Sequence, residues 1–189
     1  DFKRAVEIEP NSFDAHFNRG ANHRKMGELA SSLEDLKRAL SLKGDDPDVY
    51  LEIGLVYQGL GIPKKALENF NRSIDLGPGT ADAYSHRGQI KIGLREYAAA
   101  LADLSDAIRL DDKSYSAHLY RGHVLRIRNE IGRALDDYER AIQLSPSSVE
   151  AWLHRAYLLH QIGRSKEALE HYDRVLEMEP DNALVLRNK

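Results

Sequence analysis

Residues 115–148 read YSAHLYRGHVLRIRNEIGRALDDYERAIQLSPSS, and the pattern of side chains in this stretch recurs every 34 residues along the chain. A small residue marks the register at five places 34 residues apart, namely Gly20, Gly54, Gly88, Gly122 and Ala156. No insertion or deletion interrupts the interval. Self-similarity at a fixed period of about 20 to 50 residues is the signature of a repeat architecture. The sequence therefore predicts a stack of five copies of one short motif.

We number the positions of each repeat from 1 to 34, with the small residue at position 8. Repeats 1 to 5 then span 13–46, 47–80, 81–114, 115–148 and 149–182. Residues 1–12 match the second half of a preceding repeat, with Phe2, Ala5 and Pro10 at its positions 24, 27 and 32. Residues 183–189 match the start of a following repeat. We therefore expect one continuous array that is a fragment of a longer chain.

Four other columns indicate the shape of each repeat. Positions 20 and 27 carry residues that are small or nearly so: Ser32, Ala66, Ala100, Ala134 and Ala168, then Ala39, Ser73, Ala107, Ala141 and Val175. Position 24 is bulky (Leu36, Phe70, Leu104, Tyr138, Tyr172), and position 32 is mostly a helix-stopping residue (Gly44, Pro78, Asp112, Pro146, Pro180). Small residues let two helices approach closely, and the bulky residue fills the groove between them. Each repeat is therefore predicted to be a helical hairpin.

The apolar spacing within a repeat predicts helices rather than strands. In repeat 4 the apolar residues recur at intervals of three and four, as in Ala134, Leu135, Tyr138, Ala141 and Ile142. The first helix is predicted at positions 1–14 and the second at positions 17–30. Pro63 then falls at the start of a second helix, where proline is tolerated.

This pattern resembles the tetratricopeptide repeat (TPR) family, whose signature places tryptophan, leucine–glycine, tyrosine, alanine, phenylalanine and proline at these positions. Trp152 and Tyr57 stand at the family's tryptophan and tyrosine positions, and Gly27, Gly61 and Gly163 stand at its turn between helices. The resemblance covers essentially the whole chain. It implies an all-α fold, a right-handed superhelix (α-solenoid) of 34-residue helix-turn-helix units.

The main departure from the family is position 7, usually leucine, which is arginine in four repeats: Arg19, Arg87, Arg121 and Arg155. Three of these arginines are matched by an aspartate at position 23 of the same repeat, namely Asp35, Asp103 and Asp137. Repeat 2 has Ile53 with Asn69 and lacks both partners, whereas repeat 5 sets Arg155 against His171. Positions 7 and 23 face each other in a hairpin that turns near position 15 or 16. We therefore predict structural ion pairs at these positions.

The composition disfavours several classes of partner. Hydrophobic residues make up 42% and charged residues 30% of the 189 residues, which is typical of a folded protein. A net charge of −3 lacks the electrostatic footprint that nucleic acid or an anionic membrane demands. No apolar run reaches the roughly 18 residues needed for membrane insertion. The chain has no cysteine, so the compartment stays open, with the cytoplasm favoured.

Signatures of catalysis are missing from the sequence. It contains no glycine-rich phosphate loop, nucleophile elbow or zincin motif, so we expect no enzyme and no cofactor. None of the eight histidines are spaced i, i+4 on one helix. The best remaining histidine cluster, His123 with His154, is interpreted as groove-lining rather than as a metal site. The short basic spots at Lys64, Lys65, Arg24 and Lys25 are interpreted as solvated faces.

In the family, the first helices line a concave groove that takes an extended peptide or a partner helix, with contacts from positions 2, 5, 6, 9, 12 and 13. The resemblance therefore implies a scaffold that binds a protein or peptide without catalysis. Carried over to this chain, it gives a candidate groove of apolar anchors with interleaved polar groups: Phe17, Leu51, Leu55, His86, Gln89, Leu119, Tyr120, His123, Leu153, His154 and Tyr157. Such a mixture is typical of protein interfaces.

The groove positions disfavour one ligand class of the family. Members that grip the C-terminal carboxylate of the large heat-shock chaperones use lysine and asparagine, whereas Glu52, Asp82 and Glu150 stand at groove positions here. A carboxylate would meet repulsion instead of a charge-assisted bond. Position 2 is acidic in four repeats, through Asp14, Asp48, Asp82 and Glu150. These acids either offset the helix dipole or form an acidic rim for basic partner segments.

Two alternatives to a free-standing scaffold stay open. The repeats are compatible with a substrate-selecting or regulatory arm of a larger enzyme, which a full-length sequence would reveal. They are also compatible with self-association end to end, because repeats stack on identical repeats. A mass in solution that depends on concentration would test the second alternative.

Overall fold

The structure is a computed structural model that describes residues 2–77 and 80–188, and every regular element within them is an α-helix. The helices pair antiparallel in TPR-like repeats, so the predicted all-α class is confirmed. The chain divides into two compact units, Asp1–Leu94 and Arg95–Lys189. Pro78, predicted to stop the second helix of repeat 2, lies outside the described residues. Asp1 and Lys189, in the predicted partial repeats at either end, do too.

The described part of the N-terminal unit contains α1 Phe2–Ile8, α2 Phe13–Lys25, α3 Leu29–Lys43, α4 Pro47–Gly59, α5 Pro63–Leu76 and α6 Ala81–Gly93. Consecutive helices pack together, and α4 also contacts α2 and α6. The first helices of repeats 1 to 3 therefore lie side by side. One core cluster contains Leu36, Val49 and Val56, and another contains Phe70 and Ile90.

The described part of the C-terminal unit contains α7 Tyr97–Leu110, α8 Tyr115–Ile127, α9 Ile131–Leu144, α10 Val149–Gln161, α11 Ser165–Met178 and α12 Ala183–Asn188. Consecutive helices again pack against each other. One core cluster joins the hairpins of this unit and contains Leu125, Tyr138, Leu159 and Tyr172.

The helix bounds follow the predicted repeat positions. First helices begin 34 residues apart, at Phe13, Pro47, Ala81, Tyr115 and Val149. Second helices begin at position 17 in all five repeats, and α5 opens with Pro63 as predicted. The predicted helix limits are therefore confirmed to within one residue.

Each first helix starts on a side-chain cap at position 34 of the preceding repeat. A side-chain oxygen at this position accepts hydrogen bonds from backbone N–H groups in the first turn of the helix. Such a cap satisfies N–H groups that a helix start leaves without a partner. The capping residues are Ser12, Asp46, Thr80, Ser114 and Ser148.

Position 8 is small because the side chain at position 24 lies against it. A Cβ added to Gly54 would lie 2.5 Å from Phe70 Cε1, and one added to Gly122 would lie 2.7 Å from Tyr138 Cε1. Atoms cannot approach so closely in a packed core without forcing the helices apart. The predicted interlocking of a small and a bulky residue is therefore present in these hairpins.

Two of the predicted ion pairs are present. Arg19 donates from Nε and Nη2 to Asp35 at 2.7 and 2.6 Å, and Arg121 donates to Asp137 at 2.7 and 2.8 Å. Both aspartates are 4% exposed, so these pairs lie in the interior of the hairpins. The facing of positions 7 and 23 is therefore confirmed for repeats 1 and 4.

The other repeats vary this arrangement. Arg155 contacts His171 in repeat 5, as the sequence suggests, and its Nε also lies 3.2 Å from a carboxylate oxygen of Glu139. The predicted pair of Arg87 with Asp103 joins residues of different compact units and stays a prediction. In repeat 2, the position 7 residue is a core isoleucine, which needs no charged partner.

A histidine completes the ion pairs of repeats 1 and 4. We call His118, Arg121 and Asp137 the His118 cluster. In it, His118 Nδ1 lies 3.0 Å from Asp137 Oδ1, and its Nε2 lies 3.2 Å from the backbone oxygen of Asp112. His16 makes the corresponding contacts in repeat 1. Burial opposes ionisation of Asp137, but hydrogen bonds from Arg121 and His118 outweigh it and leave the pKa of the carboxyl below its ordinary value. Each histidine thus ties its hairpin to the end of the preceding repeat.

None of the described helices combines the length and the apolar character that crossing a membrane requires.

Candidate functional site

The candidate groove residues fall into two sets, one in each compact unit. The N-terminal set is Phe17, Leu51, Leu55, His86 and Gln89, and the C-terminal set is Leu119, Tyr120, His123, Leu153, His154 and Tyr157. All of them lie on first helices, namely α2, α4 and α6 in one unit and α8 and α10 in the other.

The two ring-bearing candidates of the N-terminal unit are half-buried against other rings. Phe17 stacks on Phe13 with ring centroids 5.9 Å apart, and His86 stacks on Phe70 at the same separation. Burial lowers the pKa of His86, so its ring is neutral at pH 7. Each of these rings therefore has a second face or edge that remains partly accessible.

The remaining N-terminal candidates are also engaged within the protein. Leu51 and Leu55 pack against the core cluster around Phe70. Gln89 accepts a hydrogen bond of 2.7 Å from Gln58 Nε2. The surface of this unit therefore offers partly buried leucines and a side-chain amide that already has an internal partner.

Arg24 does not belong to a solvated face, which corrects the interpretation made from sequence. Its Nε donates to Glu52 Oε2 at 2.6 Å and its Nη2 to Glu52 Oε1 at 3.3 Å. The two side chains are only 24% and 16% exposed. The physical reason is that Arg24 stands at position 12 of repeat 1, beside position 6 of the next first helix. An arginine at this position is therefore neutralised inside the N-terminal unit.

In the C-terminal unit, Leu153, His154 and Tyr157 line a cavity of about 550 Å³, which we call the α10 cavity. A volume of this size is in the range of natural ligand pockets. Its wall continues onto α8, α11 and α12 and the turn between the last two. The other lining residues are Arg126, Val149, Glu150, Tyr172, Glu179, Asn182 and Leu184.

Tyr120 and His123 lie behind the α10 cavity rather than in its wall. The His123 and His154 rings meet edge to face with centroids 4.0 Å apart, and Tyr120 lies edge-on to His123 at 6.2 Å. Burial, followed by the positive charges of His154 and Arg126, lowers the pKa of His123 to about 3. Burial and then Arg126 lower the pKa of His154 to about 4. Both rings are therefore neutral at pH 7.

Leu119 differs from the other candidates because it is 1% exposed and belongs to the core of the C-terminal unit. A partner cannot contact it in this structure. Tyr157, by contrast, is 43% exposed, with its hydroxyl accepting a hydrogen bond of 3.1 Å from Gln161. The accessible apolar surface of this set is therefore that of Leu153 and Tyr157.

Sequence reasoning did not identify six residues of the α10 cavity, namely Arg126, Val149, Tyr172, Glu179, Asn182 and Leu184. Arg126 stands at groove position 12 and Val149 at position 1, so the repeat register offered a signal for the arginine. Tyr172 is on a second helix and Leu184 is on α12. Their contribution depends on how consecutive helices pack, which a list of first-helix positions does not contain.

The paired rings of His123 and His154 also bear on the metal hypothesis. In the part of the chain that the structure describes, no group of three or more His, Asp or Glu side chains is arranged to hold a metal ion. The histidine pair lies beside the buried ring of Tyr138, and the positive charge of Arg126 acts on both histidines.

Comparison with protein families places the chain among helical repeats. A family model described as tetratricopeptide repeat matches residues 86–148 and 128–183, and a model described as TPR repeat matches residues 22–61. The first model alone extends over more than half of the chain. No curated protein matches the sequence.

Solved structures share the fold over most of the chain. YrrB, described as a TPR protein with an unusual peptide-binding site, is 22% identical, with 98% of this chain and 96% of that one covered at a TM-score of 0.73. PilF of Pseudomonas aeruginosa is 20% identical, with 93% and 80% covered at 0.85. The APC/C hetero-tetramer Cut9–Hcn1 gives 17% identity, with 99% and 37% covered at 0.90. At these identities the similarity establishes the fold and assigns no ligand.

Proposed function

Because the chain belongs to the tetratricopeptide repeat family, whose members mediate protein–protein interactions, we propose that it is a non-catalytic scaffold that binds a peptide segment or helix of a partner protein in the α10 cavity. The observation that carries the proposal is the α10 cavity itself. Three candidate groove residues, Leu153, His154 and Tyr157, line this cavity of about 550 Å³.

The chemistry of the cavity wall supports a peptide ligand. Val149, Leu153 and Leu184 provide apolar surface, and Tyr157 adds a ring with a polar end. Burial of an apolar anchor in such a pocket, with a few hydrogen bonds at its edge, is how hot spots of protein interfaces bind. YrrB, which has the same fold, is described as having a peptide-binding site, and this supports the class of ligand without identifying it.

The remaining parts of the hypothesis stay predictions. They include the rest of the groove candidates, the exclusion of chaperone C-terminal carboxylates and of nucleic acid, and the absence of catalysis. The regulatory arm of a larger enzyme and self-association through the ends also stay open, each with the test given above.

The proposal is tested by selecting binders from a random peptide library displayed on phage, with the whole chain as bait. Dissociation constants of the selected peptides are then measured by fluorescence anisotropy for the wild type and for Leu153→Glu. A carboxylate placed in the apolar wall is expected to weaken binding by about tenfold or more. Circular dichroism melting confirms that the variant is folded.

The matched control is Leu169→Glu, the same substitution at a leucine of α11 that is 38% exposed and does not line the α10 cavity. It is expected to leave the dissociation constants unchanged. If the library yields no binders, or if both variants bind as tightly as the wild type, the α10 cavity is not the binding site.

A further inference from the structure

Two repeats carry an arginine at the same groove position, but the residues beside the two arginines differ. Arg24 of repeat 1 and Arg126 of repeat 4 both stand at position 12. Arg24 pairs with Glu52, which follows it by 28 residues and belongs to the next first helix. The residue that follows Arg126 by 28 positions is His154. Where the N-terminal unit has a carboxylate, the C-terminal unit therefore has an imidazole.

The imidazole does not neutralise Arg126. Burial holds the pKa of His154 at about 4, so its ring carries no charge at pH 7. A neutral ring cannot act as a counter-ion for the guanidinium. Among the described residues, no carboxylate lies within ion-pair distance of Arg126, and its Nε is buried without a hydrogen-bond partner. The neighbouring Tyr138 hydroxyl interacts with Arg126 but is neutral, so a half-buried guanidinium has lost part of its hydration without gaining a counter-ion.

Arg126 is also a wall residue of the α10 cavity, next to the apolar surface of Leu153 and Leu184. Two acids line the cavity as well, but at its accessible edge. The Glu150 side chain is 52% exposed and lies 3.7 Å from His154, and Glu179 is exposed and accepts a hydrogen bond from Asn182. Exposed carboxylates are screened by water and salt. Arg126 can therefore bind one further carboxylate. A partner segment with several consecutive acidic residues would be repelled by Glu150 and Glu179.

We infer that the α10 cavity takes a partner segment in which one aspartate or glutamate side chain stands next to an apolar side chain. The carboxylate binds the Arg126 guanidinium, as Glu52 binds Arg24, and the apolar side chain packs on Leu153 and Leu184. This inference rests on the proposed function and specifies the chemistry of the partner. It differs from recognition of a C-terminal carboxylate, because the acid is a side chain within the segment.

The test uses the peptides selected on the whole wild-type chain. An acidic residue beside an apolar one is expected to be enriched among them. Replacing that residue by its amide, Glu→Gln or Asp→Asn, is expected to raise the dissociation constant by about tenfold or more, the range of a charge-assisted hydrogen bond. Amidation of the peptide C-terminus is expected to leave the dissociation constant unchanged.

Two protein variants address Arg126 directly. Arg126→Gln removes the charge and is expected to abolish the difference between the acidic and amide peptides. His154→Glu places a carboxylate beside Arg126, as Glu52 of repeat 2 stands beside Arg24. It is therefore expected to weaken binding of the acidic peptide while preserving the fold. The matched control is Arg24→Gln, which changes the paired arginine of the N-terminal unit and is expected to leave the preference intact.

The outcomes separate this inference from the proposed function. Peptides that lose affinity with Leu153→Glu but show no acidic preference would leave the scaffold standing and overturn the role of Arg126. A loss of affinity on amidation of the C-terminus, with none on Glu→Gln, would also overturn it, in favour of a terminal carboxylate. A library that yields no binders at all would contradict the proposed function first.

Discussion

Two aspartates, Asp35 and Asp137, each hold an arginine and a histidine in the interior of a hairpin. Position 7 and position 23 face each other because both lie on the inner sides of paired helices, so the arginine–aspartate pairing could be predicted from the repeat register alone. The histidine could not. Position 4 is histidine only in repeats 1 and 4, and in repeat 5 it is Trp152, which donates instead to the backbone oxygen of Pro146 at 2.9 Å.

Asp137→Ala is expected to lower the free energy of unfolding by about 3 to 5 kcal/mol, because it strands the Arg121 guanidinium in a partly buried site and removes a partner of His118. Urea denaturation measures the change. Asp136→Ala is the control, since the neighbouring aspartate is exposed, and it is expected to cost less than about 0.5 kcal/mol. Equal losses for the two variants would show that the His118 cluster contributes nothing specific.

The neutral histidine pair behind the α10 cavity predicts a dependence of stability on pH. Folding lowers the pKa values of His123 and His154 from the ordinary 6.5 to about 3 and about 4. Between those values and 6.5 the unfolded chain binds protons that the folded chain does not bind. The contribution of the two neutral rings to the free energy of unfolding is therefore fully present above pH 6.5. It is lost as the pH falls towards 4, because protons bind to the unfolded chain first.

Unfolding free energies measured between neutral pH and about pH 4.5 check this sign. The comparison protein carries His123→Leu together with His154→Leu and is expected to lose less stability over that range than the wild type. His86 and His171, whose pKa values burial also lowers, are common to both proteins and cancel in the comparison. Parallel profiles would mean that the two rings are not buried in neutral form.

At the scale of elements, the turn within each hairpin requires a left-handed residue at position 15. Glycine provides it in three repeats, whereas Arg95 and Asn129 adopt the same conformation with φ of 62°. The three glycines revealed this turn in the sequence. Arg95 gave no such signal, and Asn129 gave only a weak one, since asparagine tolerates this conformation without requiring it.

Arg95→Gly is expected to raise the free energy of unfolding by about 1 kcal/mol, since a left-handed conformation is costly for a residue with a Cβ. Asn129→Gly is expected to gain less, because asparagine tolerates this region. Gly27→Ala, at φ of 80°, is the converse control and is expected to destabilise. Thermal and urea denaturation provide the values, and a destabilised Arg95→Gly protein would rule out strain at this turn.

The helices themselves were well predicted, because small, bulky and breaking residues recur in fixed columns. The cap column at position 34 was not identified from the sequence, although serine, threonine and aspartate are all preferred at helix starts. The α10 cavity was only half predictable. Its first-helix residues Leu153, His154 and Tyr157 follow from the register, whereas Tyr172 and Leu184 enter it through packing of later helices.

For the molecule as a whole, positive and negative charges nearly balance, with a net charge of −3. Long-range steering of a charged partner is therefore weak. Binding of an acidic and apolar peptide at Arg126 depends on one partly buried charge, which salt screens less than an exposed one.

The dissociation constant of such a peptide is therefore expected to change by less than about threefold between about 50 and about 500 mM salt. Isothermal titration calorimetry of the whole chain at several salt concentrations measures it. A basic peptide that bound tightly and was released steeply by salt would instead favour an acidic rim at Asp14, Asp48, Asp82 and Glu150.

The histidine clusters have a consequence for how the protein is made. His16 and Asp35 are 19 residues apart in the sequence, and His16 and Pro10 are 6 apart. All the groups of the cluster therefore leave the ribosome within one short stretch of translation, before the next hairpin is complete. Contacts this local form early and let a repeat array fold in the order of synthesis. Each buried aspartate thus finds its arginine and histidine within its own hairpin and the preceding turn, before the matching groups of another repeat can compete for it.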